Sequence, residues 1–221
     1  MSAPLILVDD LGLASRSGTI FADLTFGVPR GEVSVVVGPS GSGRSSLLLA
    51  VSGRMRGLTG SVRLGRHTRT TRPRQLREIT AIARIATLVE PEGQLTVGES
   101  MLERALIDGV QAADADLAFA EAEEVTGVTF DRDGLVDQLP AYERSLLCVA
   151  LAMVKPSELI VFDDADRSLD LAAQRRLMAA LTLLCRPGRT ILTSTTEVAA
   201  VPAEAHVIHL NPTTGTDEKT P

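Results

Sequence analysis

The chain has 221 residues, 44% of them hydrophobic and 23% charged, enough to bury a full core in one large or two small domains. A net charge of −6 and a sequence pI near 5.1 argue against general nucleic-acid binding. The N-terminus has no basic segment followed by a long apolar run, and the longest apolar run, Leu146 to Val154, is too short to cross a bilayer, so neither a secretory signal nor a membrane span is expected.

In chain order, Leu5 to Val8 and Ile20 to Val28 are expected as strands of an antiparallel sheet. Val33 to Val37 is a β-branched run of the kind buried parallel strands carry, and it ends at a glycine-rich loop. Ser45 to Val51 is expected as a helix, and Ser61 to Leu64 and Ile85 to Val89 as further strands. The arginines from Arg63 to Arg77 fit a solvated surface loop between those two. Thr96 to Leu106 and Ala112 to Val125 carry Ala, Glu and Leu at helical spacing, and Glu143 to Val154 continues as an apolar helix. Leu159 to Phe162, Thr190 to Ser194 and His206 to Leu210 complete the strands, Leu171 to Cys185 is a helix, and the polar tail 211–221 is expected to be disordered. Cys148 and Cys185 lie in apolar segments, as reduced core thiols do. His67, His206 and His209 have no metal-ligand spacing.

Gly38-Pro39-Ser40-Gly41-Ser42-Gly43-Arg44-Ser45 follows a strand and opens a helix, the context a phosphate-binding P-loop requires. Glycines let successive N–H groups turn toward a phosphate, and the helix N-terminus adds its positive end. The nucleotide-binding set is Gly38, Ser40, Gly41, Ser42, Gly43, Arg44, Ser45 and Ser46, with the Ser45 hydroxyl offered to Mg²⁺. Arg44 stands where the motif has lysine, which keeps the charge but changes its shape. Leu159 to Phe162 ends in Asp163 and Asp164, which suits one carboxylate in the metal shell and one beside an attacking water. Taken singly, each motif also fits a ligand-free turn or a solvated strand end.

In their order along nearly the whole chain, these motifs resemble the ABC ATPase family. Thr87 to Pro91 followed by Leu95 to Glu99 is similar to its Q-loop region, with Glu90 in place of glutamine as a further metal candidate. Leu139-Pro140-Ala141-Tyr142-Glu143-Arg144 lies where its signature belongs, Ser168-Leu169-Asp170 matches its D-loop, and Thr196 stands for the switch histidine. The resemblance implies an α/β fold: a P-loop NTPase (RecA-like) parallel-sheet core with an N-terminal antiparallel β subdomain, over 1–90 and 151–210, and an α-helical insertion over 91–150. It implies ATP and Mg²⁺ as cofactors and a transmembrane subunit as partner. It further implies a homodimer or heterodimer of nucleotide-binding domains and a cytoplasmic place at the inner face of the cell membrane.

The departures point to weak or absent hydrolysis. Pro140 offers neither hydroxyl nor N–H, and Ala141 and Tyr142 replace glycines, Tyr142 being the larger obstacle. Asp164 is one methylene shorter than the family's glutamate, Thr196 brings no imidazole, and Ser15 with its neighbours brings no aromatic for adenine. A non-hydrolysing regulatory or structural pseudo-ATPase is the alternative. A small-molecule P-loop kinase is a third, with the Arg63 to Arg77 stretch as the only available lid.

Overall fold

The computed structural model describes residues 4–16, 18–65, 70–85, 88–185 and 188–211, so the expected tail lies outside it beyond Asn211. An antiparallel sheet comes first: β1 (Ile6–Ser15) pairs with β2 (Gly18–Val28) on one side and with β4 (Leu58–Leu64) on the other. β1 runs beyond the expected Val8 because pairing resumes after a register shift. There Asp10 takes a φ of 50° and donates its N–H to Thr25 Oγ1 at 3.0 Å.

A five-stranded parallel sheet runs in the order β5 (Thr80–Arg84), β6 (Leu159–Phe162), β7 (Thr190–Thr195), β3 (Val33–Val37), β8 (His206–His209). On one face lie α5 (Ala141–Met153) and α6 (Leu171–Cys185); on the other lie α1 (Arg44–Val51) and the antiparallel sheet. Val33, Val35 and Val37 pack to the first side and Val36 to the second, which is why β3 is apolar but for the buried Ser34. In α5 every residue from Ser145 to Met153 is buried. The helical insertion adds α3 (Val97–Asp108) and α4 (Ala112–Thr126). At the start of α3 the Glu99 carboxylate accepts the Thr96 N–H at 2.8 Å, while Thr96 Oγ1 accepts the Glu99 N–H at 3.1 Å. The Thr96 N–H first, and then the Thr96 side chain, hold the Glu99 carboxyl below its ordinary value.

Two expectations fail between β4 and α3. The strand placed at Ile85 to Val89 is one element earlier, as β5; Leu88 and Val89 donate their N–H groups to the Ile85 carbonyl in a turn. The arginine-rich stretch is not one surface loop either. Arg63 belongs to β4, and Arg74 and Arg77 to α2 (Pro73–Ile79), which opens on proline with the Gln75 side chain accepting the Arg72 N–H. α2 rests on Gly53, past the carboxyl-terminal end of α1, whereas the glycine-rich loop is at the other end. Its arginines therefore sit a helix length from that loop and cannot close over it. Residues 66–69, with His67, lie outside the described residues. Among the described residues, no helix is long and apolar enough to cross a membrane.

Candidate functional site

The carboxyl-terminal edge of the parallel sheet gathers the expected groups: β3 leads into Gly38 to Arg44, β6 into Asp163 and Asp164, and β7, between them, into Thr196. The loop needs its glycines. Gly41 and Gly43 take φ values of 79° and 91°, and a Cβ on Gly38 would stand 2.3 Å from the Leu210 carbonyl oxygen. Gly43 caps α1, so the amides of Arg44, Ser45 and Ser46 have no acceptor within the helix and suit an anion. The Ser42 hydroxyl is buried with no hydrogen-bond partner among the described residues, and Ser40 is exposed at the loop's rim.

Arg44 folds back across this cradle. Its guanidinium, 8% exposed, donates through Nη1 to the carbonyl oxygens of Gly38 at 2.5 Å and Pro39 at 2.7 Å, and through Nη2 to Asp164 Oδ1 at 2.9 Å. Asp164 is therefore not a free carboxylate beside a water site, as the sequence led one to expect; it is the arginine's counter-ion. Its backbone sits in the left-handed region at φ 49°, held by an N–H bond to Ser194 Oγ at 2.9 Å.

Asp163 is fully buried. Ser194 Oγ donates to its Oδ1 at 2.5 Å, and Oδ2 has no hydrogen-bond partner among the described residues. A buried carboxylate with one uncommitted oxygen, together with the Ser45 hydroxyl in the first turn of α1, is a donor set that suits Mg²⁺. Glu90 does not join it: the side chain is exposed and its carboxylate is engaged by Arg167.

Sequence reasoning missed two supports. Ser194, in β7, ties both aspartates together. Arg84, the last residue of β5 and 6% exposed, donates through Nη2 to the carbonyl oxygens of Asp163 at 3.2 Å and Asp164 at 2.5 Å, with its Cζ 4.5 Å from the Phe162 ring centre. Burial is the main force pulling its pKa below the ordinary value. An arginine closing an otherwise apolar segment was the available signal.

The remaining expected residues sit around this centre. Thr196 gives both its N–H and its hydroxyl to Asp166 Oδ2. In the D-loop, Ser168 takes φ 61°, Leu169 packs on the helical core, and Asp170 accepts the Ala173 N–H at 2.8 Å as α6 begins. Pro140 precedes α5 without a side-chain cap, and Glu143 lies in the first turn. Tyr142 is half-buried: one side of its ring packs on the helical core, and the Arg176 guanidinium lies over it, 4.2 Å from the ring centre. A cleft of about 270 Å³ separates Glu90 and Pro91 from Ala141, Arg144 and Ser168, with Cys148 on its wall; burial pushes that thiol up to about 11. At the expected adenine position, Ser15 and Arg16 are exposed at the end of β1.

The sequence profile of the ABC transporter family matches residues 21–167. A cobalt import ATP-binding protein CbiO from Rhodobacter capsulatus is 30% identical over 213 residues, covering 94% of this chain and 75% of that protein. A cytochrome c biogenesis ATP-binding export protein CcmA from Xylella fastidiosa is 25% identical over 208 residues, covering 94% of each. Among solved structures, cbiO1 from Clostridium perfringens, part of the ABC transporter complex cbiONQ, matches with a TM-score of 0.78 at 18% identity over 95% of this chain and 85% of that one. At that identity the likeness speaks to the fold.

Proposed function

This chain belongs to the ABC transporter family, and on that premise we propose that it is the ATP-binding subunit of an ABC-type membrane transporter or complex, one that binds Mg-ATP through a variant phosphate loop and hydrolyses it weakly or not at all. The observation that carries this reading is the Arg44 guanidinium lodged between Gly38, Pro39 and Asp164. Entering phosphates compete with Asp164 for that guanidinium, whose planar fork suits phosphate oxygens. Asp164, short and drawn to Arg44, is poorly placed to take a proton from water. Thr196, tied to Asp166, has no imidazole for a γ-phosphate. When bound, Mg²⁺ would be held by Ser45 and Asp163 and would neutralise phosphate charge.

In this reading the chain works at the inner face of the cell membrane beside an integral membrane subunit, as a homodimer or as a heterodimer with another nucleotide-binding domain. Each composite site then joins one protomer's phosphate loop to the other's signature segment. Arg44, Asp164 and Thr196 weaken one half, and Pro140, Ala141 and Tyr142 the other, so both sites are compromised in a heterodimer as in a homodimer. A subunit that senses nucleotide without turning it over is the second reading, and the same Arg44–Asp164 pair favours it.

The test is calorimetric titration of the full chain and of Arg44→Ala with Mg-ATP and Mg-ADP, alongside phosphate release on the same samples. Binding that is lost in Arg44→Ala, with little or no release, is expected. Release at rates ordinary for enzymes, abolished by Asp164→Ala, would overturn the proposal.

A further inference from the structure

The cleft of about 270 Å³ beside the nucleotide site is lined by neither the phosphate loop nor the two aspartates; it lies between the end of β5, the connection from β5 to α3 and the first turns of α5. Ala141, Arg144, Ser145 and Cys148 all reach it because residues three and four apart share a helix face. Its charges do not cancel. Arg84, Arg144 and Arg167 face Glu90 and Asp137, three guanidiniums against two carboxylates. Glu90 engages Arg167, and Asp137 accepts a bond from Gln94 Nε2 at 2.8 Å. Among the described residues, no carboxylate pairs with Arg84 or Arg144.

These two cations lie at different depths. Arg84, 6% exposed, is at the inner end. Its Nε and Nη2 are spent on the carbonyl oxygens of Asp163 and Asp164, whereas Nη1 has only Ser145 Oγ at 3.5 Å, the outer limit of a hydrogen bond. A buried guanidinium edge so poorly satisfied is costly to leave without an acceptor. Arg144 is exposed at the outer end, and it donates to the carbonyl oxygens of Asp137 at 2.7 Å and Leu139 at 3.0 Å through Nη2 alone. Between the two ends, Pro91, Val136 and Cys148 make part of the wall apolar. An apolar wall with a few placed polar groups is how small-molecule sites are built, and this space is below the size that drug-like ligands need.

We propose that the cleft binds a small aliphatic monocarboxylate, its carboxylate on Arg84 Nη1 and Ser145 Oγ at the inner end, its hydrocarbon along the apolar wall, and Arg144 adding attraction at the mouth. One negative charge balances the lining. Inorganic phosphate or a dicarboxylate brings more charge than the cleft lacks, and phosphate leaves the apolar wall unfilled. The site needs no nucleotide, so it stands or falls apart from the function proposed above.

The test titrates the full chain into hexanoate and, separately, into its neutral isostere hexanamide, with binding read from the NMR line widths of the ligand. Hexanoate is expected to bind at least roughly tenfold more tightly than the amide, and Arg84→Gln to remove that preference. Arg144→Gln, at an exposed position, is expected to weaken hexanoate by roughly 2- to 5-fold and to leave hexanamide unchanged. If Arg84→Gln melts early, Arg144→Gln decides alone. Arg44→Ala is expected to bind hexanoate as the natural chain does, which separates the cleft from the phosphate loop. Equal binding of acid and amide, no binding of either, an unchanged hexanoate affinity in every folded variant of Arg84 and Arg144, or loss of hexanoate in Arg44→Ala would overturn the proposal.

Discussion

Replacing Asp164 by asparagine removes one charge and almost no volume, and asparagine accepts the left-handed backbone at φ 49° as readily as aspartate. The bond lost is a charge-assisted one at 2.9 Å between an arginine 8% exposed and an aspartate 27% exposed. Hydrogen bonds to charged groups contribute about 1.5–3 kcal/mol and neutral ones about 1, so the difference is roughly 1–2 kcal/mol. For a chain of this size that lowers the melting temperature by roughly 2–8 °C. Nucleotide affinity should move the opposite way, because phosphates no longer have to displace Asp164 from Arg44. The same roughly 1–2 kcal/mol tightens binding by roughly 5- to 30-fold. Melting of the ligand-free protein and calorimetry with Mg-ADP, which is not turned over, measure the two halves. An unchanged melting temperature together with an unchanged affinity would mean that Arg44 is not held by Asp164.

Ser194→Ala deletes the hydroxyl that donates to Asp163 and accepts from the Asp164 N–H. It is expected to cost about 1–3 kcal/mol, read as a melting temperature lower by roughly 2–12 °C. Burial pushes the thiols of Cys148 and Cys185 up to about 11 and about 12, so iodoacetamide near neutral pH should modify neither until urea unfolds the chain. Both values lie above the ordinary 9.0. Thiol burial therefore stabilises the fold fully below pH 9, and the contribution fades as pH rises toward 11. A melting series across that window should fall less steeply for Cys148→Ala.

Much of the fold can be read where apolar runs are long. β3 and β6 stand where their sequences place them, because strands covered on both faces are nearly all apolar, and α6 does so because its buried residues recur at helical spacing. β5 escapes because it is short, and the residues it turns toward α5 are alanines. Ala81 and Ala83 pack with α5, and nothing in their size or branching signals a strand, which leaves Thr80 and Ile82 as its only β-branched residues. In the site, the departures at Arg44 and Asp164 are legible one at a time, but the bond between them is not, since 120 positions separate the two residues. Only the order of the parallel strands, with β7 inserted between β3 and β6, makes them neighbours. Arg84 and Ser194 were missed for a related reason: what they hold is backbone and carboxylate from another strand.

The pair at the phosphate loop also couples two positions 120 residues apart in any further variant. Arg44 and Asp164 bridge one gap with a long side chain and a short one. A shorter cation at 44 and a longer carboxylate at 164 therefore act on the same span: lysine at 44 alone is expected to give up the bond across it, and glutamate at 164 alone to crowd the guanidinium. The two changes together are expected to cost less than the sum of each alone.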